Sequence, residues 1–375
     1  MRKTSAILLA AALPMAVQAA NTEFTYGGFI KFDAMYSQYS DGDLGAGSVG
    51  RDFYLPGTIP TGADKTSSTD LTARSSRFNL KTVTTLDNGE KVTGFVELDF
   101  LTHTDGTEAN SNSYSPRLRH AFFTYNNLTF GQTWTTFMNV GALPEVVDFF
   151  GVSEGTVFAR QAQVRYTMGN LQLSLENPET SLNGTAAANM QDDNSMPDMI
   201  ARYNIKAGDH SFSVAGIVRE LATQNGVAGA GNVDESEFGF GVNVAGVLKM
   251  GNDDLKFSVT HGQVGRYVGL GTAADAVMAG TDIEPTDVTA AFVAYRHFWN
   301  PKLRSTLAYS MLEADYDNAA AGTLNEKAIS ARINLMYSPV KEVTYGVEYS
   351  NAKLEKVSGA EGTMDRLQFT AKYSF

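Results

Sequence analysis

From Phe24 onward, apolar and polar side chains alternate with a period of two, and this alternation limits the possible folds more than any other feature of the chain. A strand sends successive side chains to opposite faces. Tyr26, Gly28, Ile30, Phe32, Ala34 and Tyr36 therefore share one face and Lys31 and Asp33 the other. Phe78, Leu80, Thr82, Thr84 and Leu86 likewise oppose Arg77, Asn79 and Lys81, and Val92, Gly94, Val96, Leu98 and Phe100 oppose Thr93, Glu97 and Asp99. Near the end, Ile329, Ala331, Ile333, Leu335 and Tyr337 oppose Ser330, Arg332 and Asn334. About sixteen segments of roughly six to fourteen residues can be read, close to the length a tilted strand needs to cross a bilayer. In 117–125 and 287–298 both faces carry apolar residues, so the phase there stays open.

The connections separate a membrane barrel from a soluble sandwich or propeller. Short turns rich in Asn, Gly, Asp and Pro are predicted at 86–89, 126–127, 168–170, 207–209, 251–254, 299–302 and 338–341. Between them lie longer polar stretches, at 38–73, 102–116, 177–196, 220–235 and 266–286. Alternating short and long connections describe a barrel with brief periplasmic turns and extended outer loops. Sandwiches and propellers show no such difference between their two ends. About sixteen strands also enclose a lumen too wide for side chains to fill, so the charged rows face water inside and the apolar rows face lipid. Tyr26 and Tyr36 end the apolar row of the first strand, as expected of interfacial girdles.

The two ends of the sequence agree with export. Met1-Arg2-Lys3, the apolar stretch Ala6 to Val17 and the small residues ending at Ala19 read as a secretory leader over residues 1–19, cleaved after Ala19, with one barrel domain over 20–375. Leu367, Phe369, Ala371, Tyr373 and Phe375 place an apolar residue at every second position up to a terminal Phe. There is no Cys, which excludes disulfides, thiolate metal sites and a lipoprotein anchor. A net charge of -12 would repel a phosphate backbone, so nucleic acid is not an expected partner.

The polar rows are rich in cations: Lys31, Arg77, Lys81, Arg165, Arg202, Arg219, Arg304 and Arg332, with Arg117, Arg119 and Arg160 on or beside strands of open phase. Guanidinium groups along a water-filled bore make it locally positive and can hold a carboxylate through two parallel bonds. The same Arg could instead pair with Glu97, Asp99, Glu176 and Glu348 and simply hold the wall. Residues 135–156, TTFMNVGALPEVVDFFGVSEGT, are unusually apolar for a loop. Folded inward they would bury Phe137, Met138, Val146, Phe149 and Phe150 and set Glu145, Asp148 and Glu154, with Pro144, across from the basic wall, narrowing the channel. The alternative is a loop that packs on a neighbouring subunit.

Other motifs fail their context. Gly45-Ala46-Gly47-Ser48-Val49-Gly50 matches GxGxxG, but no strand leads into it and no helix follows. Asp41 and Asp43 continue into no further ligand. His103, His120, His210, His261 and His297 have no metal-ligand spacing, so neither a metal nor a cofactor is expected. An enzyme is not expected.

The sequence resembles the DcaP-like porins of Gram-negative outer membranes. The likeness is densest in GGFIKFDAMYS (27–37), GRDFYLPGTIP (50–60), SRFNLKT (76–82), GFVELDFL (94–101), the run 112–151, EGTVFARQAQVRYT (154–167) and ENPET (176–180). Beyond Gly208 it is one of layout. The resemblance implies a homotrimer of sixteen-stranded antiparallel transmembrane β-barrels embedded among outer-membrane lipid and lipopolysaccharide. Each channel would be narrowed by its third outer loop and would pass small anionic solutes, carboxylates and dicarboxylates in particular. By position, Glu145 and Asp148 would mark that loop, and Arg77, Arg117, Arg119, Arg160 and Arg165 its basic counterpart. Some members carry a helical heptad segment ahead of the barrel; here only 20–23 separate the expected cleavage site from the first strand, so none is expected. The competing expectation is an adhesion or structural barrel that works through its outer loops.

Overall fold

A computed structural model describes residues 21–102, 106, 108–182, 190–191, 194–223, 234–279, 281–316 and 322–375. The expected leader and His103 lie outside the described residues. Sixteen antiparallel strands close into a barrel, and among the described residues there is no α-helix. The strands are Thr22–Tyr39, Arg77–Thr85, Lys91–Asp99, Arg117–Tyr125, Leu128–Trp134, Arg160–Met168, Leu171–Glu176 and Asp198–Ala207, then His210–Thr223, Glu235–Met250, Asp253–Gly262, Asp287–Asn300, Leu303–Asp315, Asn325–Val340, Val343–Lys356 and Glu361–Ser374. Each pairs with its sequence neighbours, and the first closes onto the last in a register running from Phe29↔Ser374 to Tyr39↔Met364. Closure leaves no open edge, which a medium unable to solvate backbone groups requires.

The apolar rows lie outside. Ile30, Phe32, Leu80, Val96, Leu173, Val293, Ile333 and Leu367 are all exposed, while their polar neighbours Asp33, Asp99, Asn334 and Gln368 are buried within. Such an inside-out distribution is stable only where the outer surface meets hydrocarbon. The wall is uneven in height. Leu128–Trp134 has 7 residues and Leu171–Glu176 has 6, whereas Glu235–Met250 and Asn325–Val340 on the far side have 16 each.

The open phase of Arg117–Tyr125 is resolved by a bulge. Glu97 pairs with His120 but Leu98 pairs with Leu118, so Arg119 is the extra residue. An extra residue on one strand locally breaks the alternation, and Arg117, Arg119 and His120 all turn inward.

Three sequence expectations need correction. Thr66–Thr72, expected within the outer loop 38–73, is a strand segment paired with Asp33 to Tyr39 and continuing the wall above Arg77–Thr85. Its residues, TSSTDLT, lack an apolar row. The turn expected at 338–341 is shorter, because Asn325–Val340 runs on through Pro339 with a register shift between Tyr337 and Val340. Proline cannot donate to the ladder, and the irregularity accommodates it. Of the stretch 266–286, expected as an outer loop, 267–277 folds into the barrel: Tyr267, Val268, Ala273, Ala274 and Ala276 are all buried. Residues of the first loop also turn inward, with Leu44, Tyr54 and Ile59 packed on Ala328, Ala352, Leu354 and Met364.

Candidate functional site

After Trp134 the chain leaves the wall and runs around the inside of the barrel. Its apolar residues dictate this course, since Phe137 and Met138 are buried in one cluster with Ile200, Ile217, Val288 and Leu312. Each backbone turn then finds a wall partner. Thr136 N–H donates to Glu176 (2.7 Å), the Asn139 side chain donates to Ser213 Oγ (2.8 Å), and Lys256 Nζ donates to Leu143 O (2.6 Å). Val147 N–H donates to Glu348 (2.9 Å), and Lys31 Nζ donates to Val147 O (3.0 Å). The return path is held by Gly155 N–H on Ser310 Oγ (2.8 Å) and by Phe158 N–H on the Tyr267 carbonyl (2.7 Å). Gly155 is a true close approach, since a β-carbon there would stand 2.1 Å from the Ala291 carbonyl carbon.

Among the described residues the loop carboxylates make no ion pair with Arg77, Arg117, Arg119, Arg160 or Arg165. Glu145, next to the half-buried Pro144, reaches the opposite wall and pairs with Arg296 (2.9 Å) and Arg304 (Nε at 2.7 Å). Burial pushes its pKa up, but Arg304 and then Arg296 outweigh that, and the net position is below the ordinary glutamate value. Asp148 is buried, accepting from the N–H groups of Tyr54 (3.0 Å), Phe150 and Gly151 (3.1 Å each). Glu154 is fully buried, accepting from Tyr54 Oη (2.5 Å) and Ser330 Oγ (2.9 Å), and burial raises its pKa above the ordinary value. The physical reason is local. The loop hugs the wall from Ser213 round to Lys31, and its acids meet whatever donors lie there.

The basic residues sort into three kinds. Arg117 and Arg119 are neutralised: Arg117 Nη2 lies 2.8 Å from Asp99, while Arg119 lies 2.7 Å from Glu97 and 2.8 Å from Asp99. Arg119 is 1% exposed, so it pins the wall beneath Phe149 and Trp134, whose rings lie 5.6 and 5.8 Å from its guanidinium carbon. Arg219 and Arg332 are also buried in ion pairs, with Asp275 and Glu348. Arg77 is intermediate, 3.9 Å from Glu97 and within 5.1 Å of the Phe149 ring centre. Arg165 and Arg202 have no ion pair among the described residues. Arg165 donates to Thr136 Oγ1 (2.7 Å) and the Trp134 carbonyl, and Arg202 donates to the carbonyls of Thr136 (3.3 Å) and Met138. Lys81 shares the inward row of Arg77 and is exposed. Arg160 falls on the face opposite Gln161 and Gln163, where its strand begins, and its guanidinium lies 4.7 Å from the Trp134 ring and 5.2 Å from that of Phe158.

Four inward cations near the short-turn end were not singled out from sequence: Lys249, Lys256, Arg296 and Lys372. Arg296 holds both Glu145 and Asp254, while Lys256 and Lys372 make no ion pair among the described residues. Their alternation with Leu248, Leu255, Tyr295 and Tyr373 was the available signal. Gly45 to Gly50 forms a turn and the start of a short 3-10 segment, Val49–Arg51, in the outer loop.

The barrel, its inward loops and its basic rows can be set beside known proteins. The crystal structure of the outer membrane channel DcaP of Acinetobacter baumannii is similar at 27% identity and a TM-score of 0.77, covering 95% of this chain and 98% of that one. OmpF of Salmonella typhi, solved with daunomycin, has 13% identity and a TM-score of 0.59 over 95% and 98% of the two chains. Outer-membrane OmpT of Vibrio cholerae has 13% identity and a TM-score of 0.57 over 94% and 98%. These last two likenesses concern the fold alone. No curated protein matches the sequence. Residues 10–375 match the family described as DcaP outer membrane protein, and the chain therefore belongs to the DcaP family of outer-membrane channels, a porin of the Gram-negative outer membrane.

Proposed function

We propose that the chain is a passive diffusion channel that prefers anions, carboxylates and dicarboxylates above all, and is narrowed by residues 135–156. The observation that carries this reading is the state of Arg165 and Arg202. Both sit on inward rows and donate only to uncharged oxygens. Neither is in an ion pair among the described residues, Glu176 acts on both only from a distance, and low-dielectric walls focus the remaining charge into the bore. One strand, Leu171–Glu176, separates them, with an offset of two residues, so their backbones lie about 12 Å apart, a span that suits a solute with a carboxylate at each end. Arg77, Lys81 and Arg117 extend the same side, with Arg119 and Arg160 supporting it from behind, and Pro144, Glu145, Asp148 and Glu154 hold the narrowing loop against the other side. Each planar guanidinium fork can take a carboxylate through two parallel bonds.

Residues 1–19 serve as a cleaved leader and 20–375 as the single barrel domain. The protein assembles as a homotrimer among outer-membrane lipid and lipopolysaccharide. Support comes from the low side of the wall, where the stacked rings of Phe123 and Phe130, 5.3 Å apart, lie on the outer face of short strands.

The test is reversal potential in a salt gradient across a planar bilayer, with mono- and dicarboxylates as competitors. Anion selectivity that dicarboxylates block supports the reading. A cation-selective pore would sink it, and a silent barrel would favour adhesion through the outer loops.

A further inference from the structure

We propose that a further inward segment, 263–279, is a fixed partition that sets the open cross-section of the bore, with Tyr267 as its positioning residue. The proposal rests on the channel reading above and concerns size rather than charge.

The wall itself gives the first reason. Ile200, Ala215, Ile217, Val288, Ala290, Leu312 and Ala314 occupy inward rows, yet they are apolar. The inside of a wide membrane barrel is wet, and its inward residues are polar. This apolar stretch is stable only because something covers it. The cover is Val264, Tyr267, Val268 and Ala273, buried in the same cluster as Phe137, Met138 and Val157 of the narrowing loop. The two inserted segments therefore share one core, and neither can shift without uncovering the other.

Polar contacts fix the segment from both sides. The Tyr267 hydroxyl donates to Asp198 (2.6 Å) and accepts from Gln161 Nε2 (2.7 Å), and its ring lies 5.9 Å from that of Phe137. Asp275 accepts from Arg219 Nη1 (2.5 Å), from Ser181 N–H (2.9 Å) and from Arg266 N–H (2.9 Å). On the other flank the Asn325 side chain donates to the Thr272 carbonyl (3.0 Å). Val268 forms an antiparallel bridge with Val157. With that stretch of wall filled, solutes are left the side walled by the strands from Thr22–Tyr39 to Arg160–Met168 and the short-turn end of Asp198–Ala207, where Arg77, Lys81, Arg165 and Arg202 stand.

Two variants test this. Tyr267→Ala removes the ring and both tethers. Val157→Cys with Val268→Cys joins the two segments, since antiparallel partners have Cα atoms about 4.5–5.5 Å apart, within disulfide reach, and the chain has no other Cys. Tyr267→Ala should raise single-channel conductance roughly twofold and admit larger neutral sugars while leaving the sign of ion selectivity unchanged. The oxidised Cys pair should conduct like the parent. Parent-like conductance and size limit in a Tyr267→Ala barrel that still shows heat-modifiable migration would overturn the proposal, and so would loss of conductance on oxidation. If Tyr267→Ala does not fold, Tyr267→Phe, which loses only the hydroxyl tethers, is read in the same way. A conducting parent with unchanged variants defeats the partition alone, whereas a silent parent defeats the channel reading and the partition with it.

Discussion

Val147 of the inward loop rests directly on Gly346 of the wall, where a β-carbon would stand only 2.8 Å from Val147 Cγ2. The missing side chain is what allows the loop to lie flat there, close enough for Val147 N–H to reach Glu348. Gly346→Val should push the loop off the wall at a cost of about 1–3 kcal/mol. The expected result in planar bilayers is an altered, noisier conductance from a barrel that still migrates as folded.

Glu145 binds two guanidiniums, and neutralising it should unmask the one that has no other acid. Glu145→Gln leaves Arg304 without its carboxylate, while Arg296 keeps Asp254 at 2.5 Å. Reversal potentials should move further toward the anion limit. A shift toward cations would contradict the placement of these charges near the solute path.

The same residue sets a pH dependence with a definite sign. The pKa of Glu145 in the folded protein lies below the ordinary value, so the stability it contributes is fully present above the ordinary glutamate pKa of about 4.3 and is lost only as pH falls through the lower, folded value. The part of the conductance that Glu145 controls should therefore hold steady from neutral pH down to about 5 and change only in stronger acid. Glu154 behaves oppositely, since burial raises its pKa. Its protonated form is favoured by the fold, so it adds no resistance to acid. Conductance titrations of the parent and of Glu145→Gln should separate the two.

Replacing Arg165 and Arg202 together with Ala should weaken anion preference more than replacing Arg117 and Arg119, which are already neutralised by Asp99 and Glu97. Permeability ratios for the two double variants provide the comparison. Equal effects would show that paired and unpaired guanidiniums act alike.

Arg332→Met should be costly to stability rather than to selectivity. Its guanidinium is buried 3.2 Å from Glu348, the acid that also holds the loop at Val147. Breaking a buried pair from one side costs about 3–5 kcal/mol. Thermal unfolding in detergent should show a clear fall in midpoint.

The barrel was legible because its outer rows answer to lipid at every second residue: Ile30, Phe32 and Ile333 announce their face without help from the rest of the chain. The burial of Phe137, Met138 and Phe150 was legible too, from the apolar character of their loop. What the loop's acids touch was not, because Glu145 meets Arg304 only through the curvature of the closed wall, 159 residues away. Arg119 was ambiguous since a bulge breaks the alternation without marking which residue is the inserted one. The segment 266–286 misled through its many Gly and Ala, which suit a tight path inside as well as a flexible one outside. Its cover is recorded instead in Ile217, Val288 and Leu312, apolar residues on rows that a wet bore would make polar.

Pairing Phe29 with Ser374 also has a consequence for biogenesis. The seam joins the first strand to the last, so no partly synthesised chain can satisfy the edge of Thr22–Tyr39. Until Glu361–Ser374 arrives, that edge is open to other chains, and the contact of greatest sequence separation must form before the wall is complete.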